Sequence, residues 1–134
     1  MALTMAKQTT PDRGFGKHVG IVMQSSGAGR SLARVIVGPE HMNLHGAVHG
    51  GVVYSVVDQT MGAATYSVMA PEELCATIEI KVVYLAAVRE GVIECESRVL
   101  HKGKRVVALE SDVKVGDKLV AKALGTFAIL SAPG

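Results

Sequence analysis

Tryptophan is absent from the 134 residues, and Phe and Tyr together bring aromatics to only 4%. The core must therefore be aliphatic, and platforms for stacking nucleic-acid bases are scarce. Cysteine occurs twice, as Cys75 and Cys95. Without C-x-x-C spacing these exclude a zinc ribbon or a disulfide framework and read as reduced, buried thiols of a cytoplasmic protein. Charge of one sign is lacking too: 14 Lys+Arg stand against 12 Asp+Glu, a net +2. That is too little to make nucleic acid or an anionic membrane the main partner. No apolar run approaches the roughly 20 residues that span a bilayer, and Met1–Arg13 has no apolar stretch of signal-peptide length. Proline is rare, at 4, while glycine reaches 15, so glycine marks turns and close packing.

What is present is a 49% apolar chain able to bury a real core. A loose leader over 1–14 and a single domain over 15–134 are expected. In the second half, 76–85 places Ile78, Ile80, Val82 and Tyr84 on one face, with Thr77, Glu79 and Lys81 on the other. The same period of two recurs over 92–100, 105–115 and 118–130, which predicts half-buried strands. Short connections such as His101-Lys102-Gly103-Lys104 and Gly116-Asp117 predict an antiparallel meander. Shorter strands are expected at 19–25 and 31–37.

The segment 39–71 does not alternate. Val53, Val56, Val57, Thr60, Met61 and Ala64 fall at helical spacing, with Gly50-Gly51 at the start and Pro71 as the stop. The other face carries Tyr54, Asp58 and Thr65. One apolar helix against a curled antiparallel sheet is an α+β layer arrangement.

Chemistry-bearing residues concentrate between His41 and Asp58. His41, His45 and His49 are four apart, but Pro39, Asn43 and Gly46 oppose the helix that would align them, so a metal site is not expected. Neither G-x-G-x-x-G, a P-loop nor G-x-S-x-G occurs. What remains is a helix N-terminus at Gly50-Gly51, whose N–H groups suit a developing oxyanion, and a carboxylate at Asp58. Asp58 could attack a carbonyl or take a proton from water. Equally, Gly-Gly could only cap the helix and Asp58 be a satisfied acid; pattern alone does not choose. Distance adds a condition: eight residues along one helix are about 12 Å. One copy cannot bring both groups to one carbon, whereas two antiparallel copies can, so a catalytic site here requires at least a twofold dimer.

The spacing Asn43-(x5)-His49-Gly50-Gly51-(x6)-Asp58, with the tail Leu119–Phe127, resembles the hotdog-fold acyl-CoA thioesterases of the PaaI-like, phenylacetate-degradation type. The resemblance covers about 15–130 by element order. It implies five to six antiparallel strands wrapped around one long central helix, with dimers whose sheets join and commonly homotetramers. It also implies metal-free, cofactor-free hydrolysis of an aromatic or medium-chain acyl-CoA. On that resemblance Asp58 is nucleophile or general base, the Gly50 N–H the oxyanion donor, and Asn43 the group orienting water or the acyl carbonyl. His49 would support the thioester or its leaving sulfur, and Thr65 would supply an assisting hydroxyl. Gly51, Tyr54, Val57, Met61 and Tyr84 are candidates for substrate contact, though packing explains the side chains equally well. Arg89, Lys102, Lys104 and Arg105, at or near strand turns, are candidates for the CoA phosphates. Two other functions compete. A hotdog hydratase or dehydratase would place its catalytic His in a loop without HGG. A non-catalytic acyl-CoA-binding sensor has no reason to hold an acid facing a thioester.

Overall fold

The computed structural model describes residues 13–131, so most of the expected leader lies outside the described residues. A five-residue helix α1 (Phe15–Val19) precedes β1 (Ile21–Gly27) and β2 (Arg30–Ile36). A 3-10 turn at Pro39–His41 leads to the long helix α2 (Gly50–Tyr66). Then come β3 (Glu73–Tyr84), β4 (Val92–Lys102), β5 (Val106–Val115) and β6 (Lys118–Ser131).

Alternation becomes burial. Ile93, Cys95 and Ser97 of β4, and Val107, Leu109, Ser111 and Val113 of β5, all turn inward and are buried. Ala121, Ala123 and Phe127 do the same on β6. Against them α2 buries Val53, Val56, Val57, Thr60, Met61, Ala63, Ala64 and Thr65. Each large aliphatic side chain removed from water contributes roughly 1.5–3 kcal/mol. That outweighs the few tenths of helix propensity that each valine of α2 costs, about 0.7 kcal/mol at most. Close approach of helix and sheet requires small groups between them. Ser31, Ser97 and Ser111 form one buried row across β2, β4 and β5. Their hydroxyls are satisfied, Ser31 donating to the Thr60 carbonyl and Ser97 pairing with Ser111 at 2.6 Å. Gly125 belongs to the same logic: a Cβ there would lie 2.6 Å from Met61 Sδ. Cys95 sits in this layer, and burial pushes its thiol up to about 11.

The expected meander holds only for β4, β5 and β6. The sheet order is β1-β2-β4-β5-β6-β3, with every pairing antiparallel. β3 pairs with β6 and forms an edge, while β2 takes the place beside β4. The reason lies in the connection 85–91, which is held across the end of the sheet instead of turning back on β3. Leu85 and Ala86 donate to the Val120 carbonyl, and Val48 donates to that of Val88.

A second difference sits inside β3. Register shifts between Thr77 and Glu79, leaving Ile78 without a ladder partner and 56% exposed. Thr77 stands opposite the buried Phe127, and Ile80 opposite Gly125, so both point toward α2. The expectation that Ile78 faces inward and Thr77 outward is therefore corrected. A bulge consumes one residue and flips the alternation.

Candidate active site

The loop before α2 is built by its own side chains. His41 is buried; its Nδ1 accepts from the Gly38 N–H at 2.9 Å and its Nε2 donates to the Val19 carbonyl at 2.6 Å. It is thus a structural imidazole. Asn43 Oδ1 accepts from the N–H groups of His45 at 2.8 Å and Ala47 at 3.1 Å, an Asx-type turn that leaves its NH2 as donor. Gly46 occupies the left-handed region at φ 76° that closes this turn. Arg89 braces it from outside, donating to the carbonyls of Gly46 at 3.3 Å and His45 at 3.5 Å.

A helix begins with N–H groups that lack intrahelical acceptors, and here they can be counted one at a time. The His49 N–H donates to the His41 carbonyl at 2.8 Å. The Gly51 N–H donates to His49 Nδ1 at 2.8 Å, so the neutral His49 ring carries its proton on Nε2. The Val52 N–H donates to the His49 carbonyl at 2.9 Å. Among the described residues, the Gly50 N–H alone at this terminus has no acceptor.

Gly50 lines a cavity of about 620 Å³ together with Asn43, Gly51, Val53, Tyr84 and the apolar segment 85–88. Tyr84 closes over the helix end: its hydroxyl donates to the Gly50 carbonyl at 2.7 Å. Burial, and then the neighbouring Tyr54, raise the Tyr84 phenol above its ordinary value, so it stays a protonated donor. Tyr54, one turn on, is 39% exposed.

Asp58 does not line that cavity. It is half-buried on the helix face toward the edge strand, where Thr77 Oγ1 donates to its Oδ1 at 2.6 Å. Alternation alone concealed Thr77, because the bulge that turns it inward leaves no mark in the polar–apolar pattern. One carboxylate oxygen of Asp58 is therefore oriented and the other has no partner among the described residues.

The remaining candidates separate cleanly. Val57 and Met61 are fully buried in the core and do not form the cavity wall. Thr65 is fully buried as well, and its hydroxyl donates back to the Met61 carbonyl at 2.9 Å. His49 is exposed and borders a neighbouring hollow of about 410 Å³ with Met42, Asn43, Leu44 and His45. Lys102, Lys104 and Arg105 form the exposed β4–β5 turn. That turn lies toward the C-terminal end of α2: Val99 of β4 and Val68, just past the helix, both lie within 3.5 Å of the Cβ position of Gly29. Gly50 is at the opposite end of a helix about 25 Å long. Within one protomer these cations do not face the Gly50 cavity.

Comparison with known proteins identifies the family. The thioesterase superfamily profile matches residues 45–123, a span that includes Gly50, Asp58, Thr77 and Tyr84. A relative from Saccharolobus solfataricus, provisionally named an esterase, is 34% identical over 76% of this chain and 73% of its own. Among solved structures, a conserved protein of Pseudomonas aeruginosa is 36% identical, covers 95% of this chain and 99% of its own, and superposes with a TM-score of 0.88. A point mutant of the phenylacetic acid degradation protein PaaI from Thermus thermophilus shares the fold at 21% identity, covering 85% of this chain and 96% of its own with a TM-score of 0.79. With a family profile over more than half its length, the chain belongs to the thioesterase superfamily and is a thioester hydrolase of the hotdog fold.

Proposed function

We propose that this thioester hydrolase acts on acyl-CoA, with an aromatic or medium-chain acyl group, at a site shared between two copies of the chain. The observation that carries this reading is the lone unpaired Gly50 N–H at a cavity its own Asp58 does not line. The thioester carbonyl accepts from the Gly50 N–H, and the free NH2 of Asn43 is the second donor at the same wall. Asp58 of the second copy, oriented by Thr77, draws a proton from water as the water oxygen adds to the carbonyl carbon. The C–S bond then breaks, and the proton returns to the departing thiolate with the Nε2–H of His49 nearby. Direct attack by the carboxylate would use the same group. An antiparallel second copy also brings its β4–β5 turn to the Gly50 end, where its Lys102, Lys104 and Arg105 can meet the CoA phosphates. Arg89, on the loop of the same chain, is a further cation on that side. The reaction uses no cofactor, and reduced Cys75 and Cys95 suit the cytoplasm.

Release of free thiol from phenylacetyl-CoA, hydroxybenzoyl-CoA and octanoyl-CoA tests the proposal. Asp58→Asn keeps an acceptor for Thr77 but loses the base, so kcat is expected to fall at least about 100-fold. Turnover unchanged in this variant removes the mechanism. Tight binding of these thioesters without turnover by the wild type would instead mark an acyl-CoA sensor.

A further inference from the structure

Space at position 50 is tight. A Cβ there would lie 3.2 Å from the Tyr84 hydroxyl and 3.3–3.4 Å from its ring. Glycine, however, brings the largest backbone freedom of any residue, and an oxyanion donor must be fixed before the reaction. The two peptide groups that flank Gly50 show how that freedom is removed. The first, His49–Gly50, is held by its carbonyl, which accepts from the Val52 N–H at 2.9 Å. The second, Gly50–Gly51, is held at both ends: Tyr84 donates to its carbonyl at 2.7 Å, and its N–H donates to His49 Nδ1 at 2.8 Å. Polarising that carbonyl also makes the N–H of the same peptide a better donor to His49, since linked hydrogen bonds strengthen one another. Tyr84 comes from β3, an element remote in sequence from the helix it fixes.

We infer that Tyr84 is a positioning residue for the oxyanion donor: its hydroxyl, through the Gly50 carbonyl, fixes the direction of the Gly50 N–H. This rests on the proposed acyl-CoA hydrolysis and assigns Tyr84 a task beyond lining the cavity. Its ring can border an acyl group, but its hydroxyl is committed to the backbone.

The test is Tyr84→Phe, which keeps the ring and deletes one oxygen, beside Tyr84→Leu, which deletes both. Thiol release from phenylacetyl-CoA and octanoyl-CoA gives kcat and KM. Amide hydrogen exchange of Gly51, resolved by NMR in the protein without substrate, gives a readout independent of turnover. Tyr84→Phe is expected to lower kcat about three- to tenfold with KM nearly constant, the Boltzmann factor of one partly exposed hydrogen bond. Gly51 exchange should rise by a similar factor, while amides at the C-terminal end of the helix stay unchanged. Tyr84→Leu should add a rise in KM. A Tyr84→Phe enzyme with wild-type kcat, or with its loss entirely in KM, overturns the inference and leaves Tyr84 as cavity wall. Should the wild type hydrolyse neither thioester, the functional reading fails separately, and Gly51 exchange still decides whether the hydroxyl fixes the peptide.

Discussion

The proposed sharing of the site between protomers can be tested directly by complementation, using two variants that each remove one half of the proposed chemistry. Asp58→Asn removes the base and leaves Gly50 intact. Gly50→Pro removes the N–H at the start of α2 that has no acceptor among the described residues, so no existing hydrogen bond is lost with it. The backbone accepts proline there: Gly50 is the first helical residue, and His49 before it is extended at φ −60° and ψ 136°. The new Cβ sits 3.2 Å from the Tyr84 hydroxyl, which must give by a few tenths of an ångström. Alone, Asp58→Asn is expected at about 1% of wild-type kcat or less. Loss of the oxyanion donor in Gly50→Pro costs a further independent factor of about 100–1000. Now let the two be co-expressed in equal amounts. Random pairing makes half the dimers mixed, and each mixed dimer holds one site with both groups intact, so turnover per protomer recovers to about a quarter of wild type across a twofold interface. The assay is thiol release, with each variant's melting curve as the folding control. If each chain builds its own site, the mixture stays at the level of the single variants, and the separation of about 12 Å along the helix has been misread.

Three other outcomes are expected. Thr77→Val removes the donor to Asp58 Oδ1 and should lower kcat about tenfold, while Thr77→Ser retains most activity; a Thr77→Val enzyme within twofold of wild type denies Thr77 an orienting role. Gly125→Ala places a Cβ 2.6 Å from Met61 Sδ and 3.1 Å from Ile80 Cγ1. With Met61 fully buried, urea unfolding should show a loss of about 1–3 kcal/mol; an unchanged midpoint would mean that Met61 can retreat. On the outer sheet face, Lys122 Nζ lies 2.6 Å from Asp112 Oδ1 and Arg98 lies 3.3 Å from Oδ2, and these partners hold the Asp112 carboxyl below its ordinary value. A depressed carboxylate stabilises the fold above its unfolded pKa and loses that contribution as pH falls through the folded one. Urea stability of Asp112→Asn should therefore fall less steeply than that of wild type from about pH 5 downward; parallel acid limbs would show that the pairing carries no stability.

The elements themselves could be read from local pattern because burial follows a period. The stripe from Val53 to Ala64 located the helix, and alternation over 92–130 located three strands, since each side chain's facing is fixed by its spacing alone. The spacing of Asn43, His49, Gly50 and Asp58 likewise marked the residues of the proposed site, and the helix rise separates Gly50 from Asp58 within one copy.

Partnerships between distant elements were not local properties. Which strand lies beside β6 depends on where the 85–91 connection finds backbone partners, and those belong to residues 48 and 120 of other segments. The bulge at Ile78 is set by fitting β3 to β6, and only that fit turns Thr77 onto Asp58. Thr65, spaced like a site residue, is fully buried and its hydroxyl donates to its own helix. Tyr84 reads in sequence as one more alternating apolar position, yet its hydroxyl holds the Gly50 carbonyl. Elements and the Asn43–Asp58 constellation are legible in the chain, since periodicity and spacing are carried within a single segment. Tertiary structure alone decided which hydroxyl meets which carboxylate or carbonyl, because hydrogen bonds between segments distant in sequence leave no period to read.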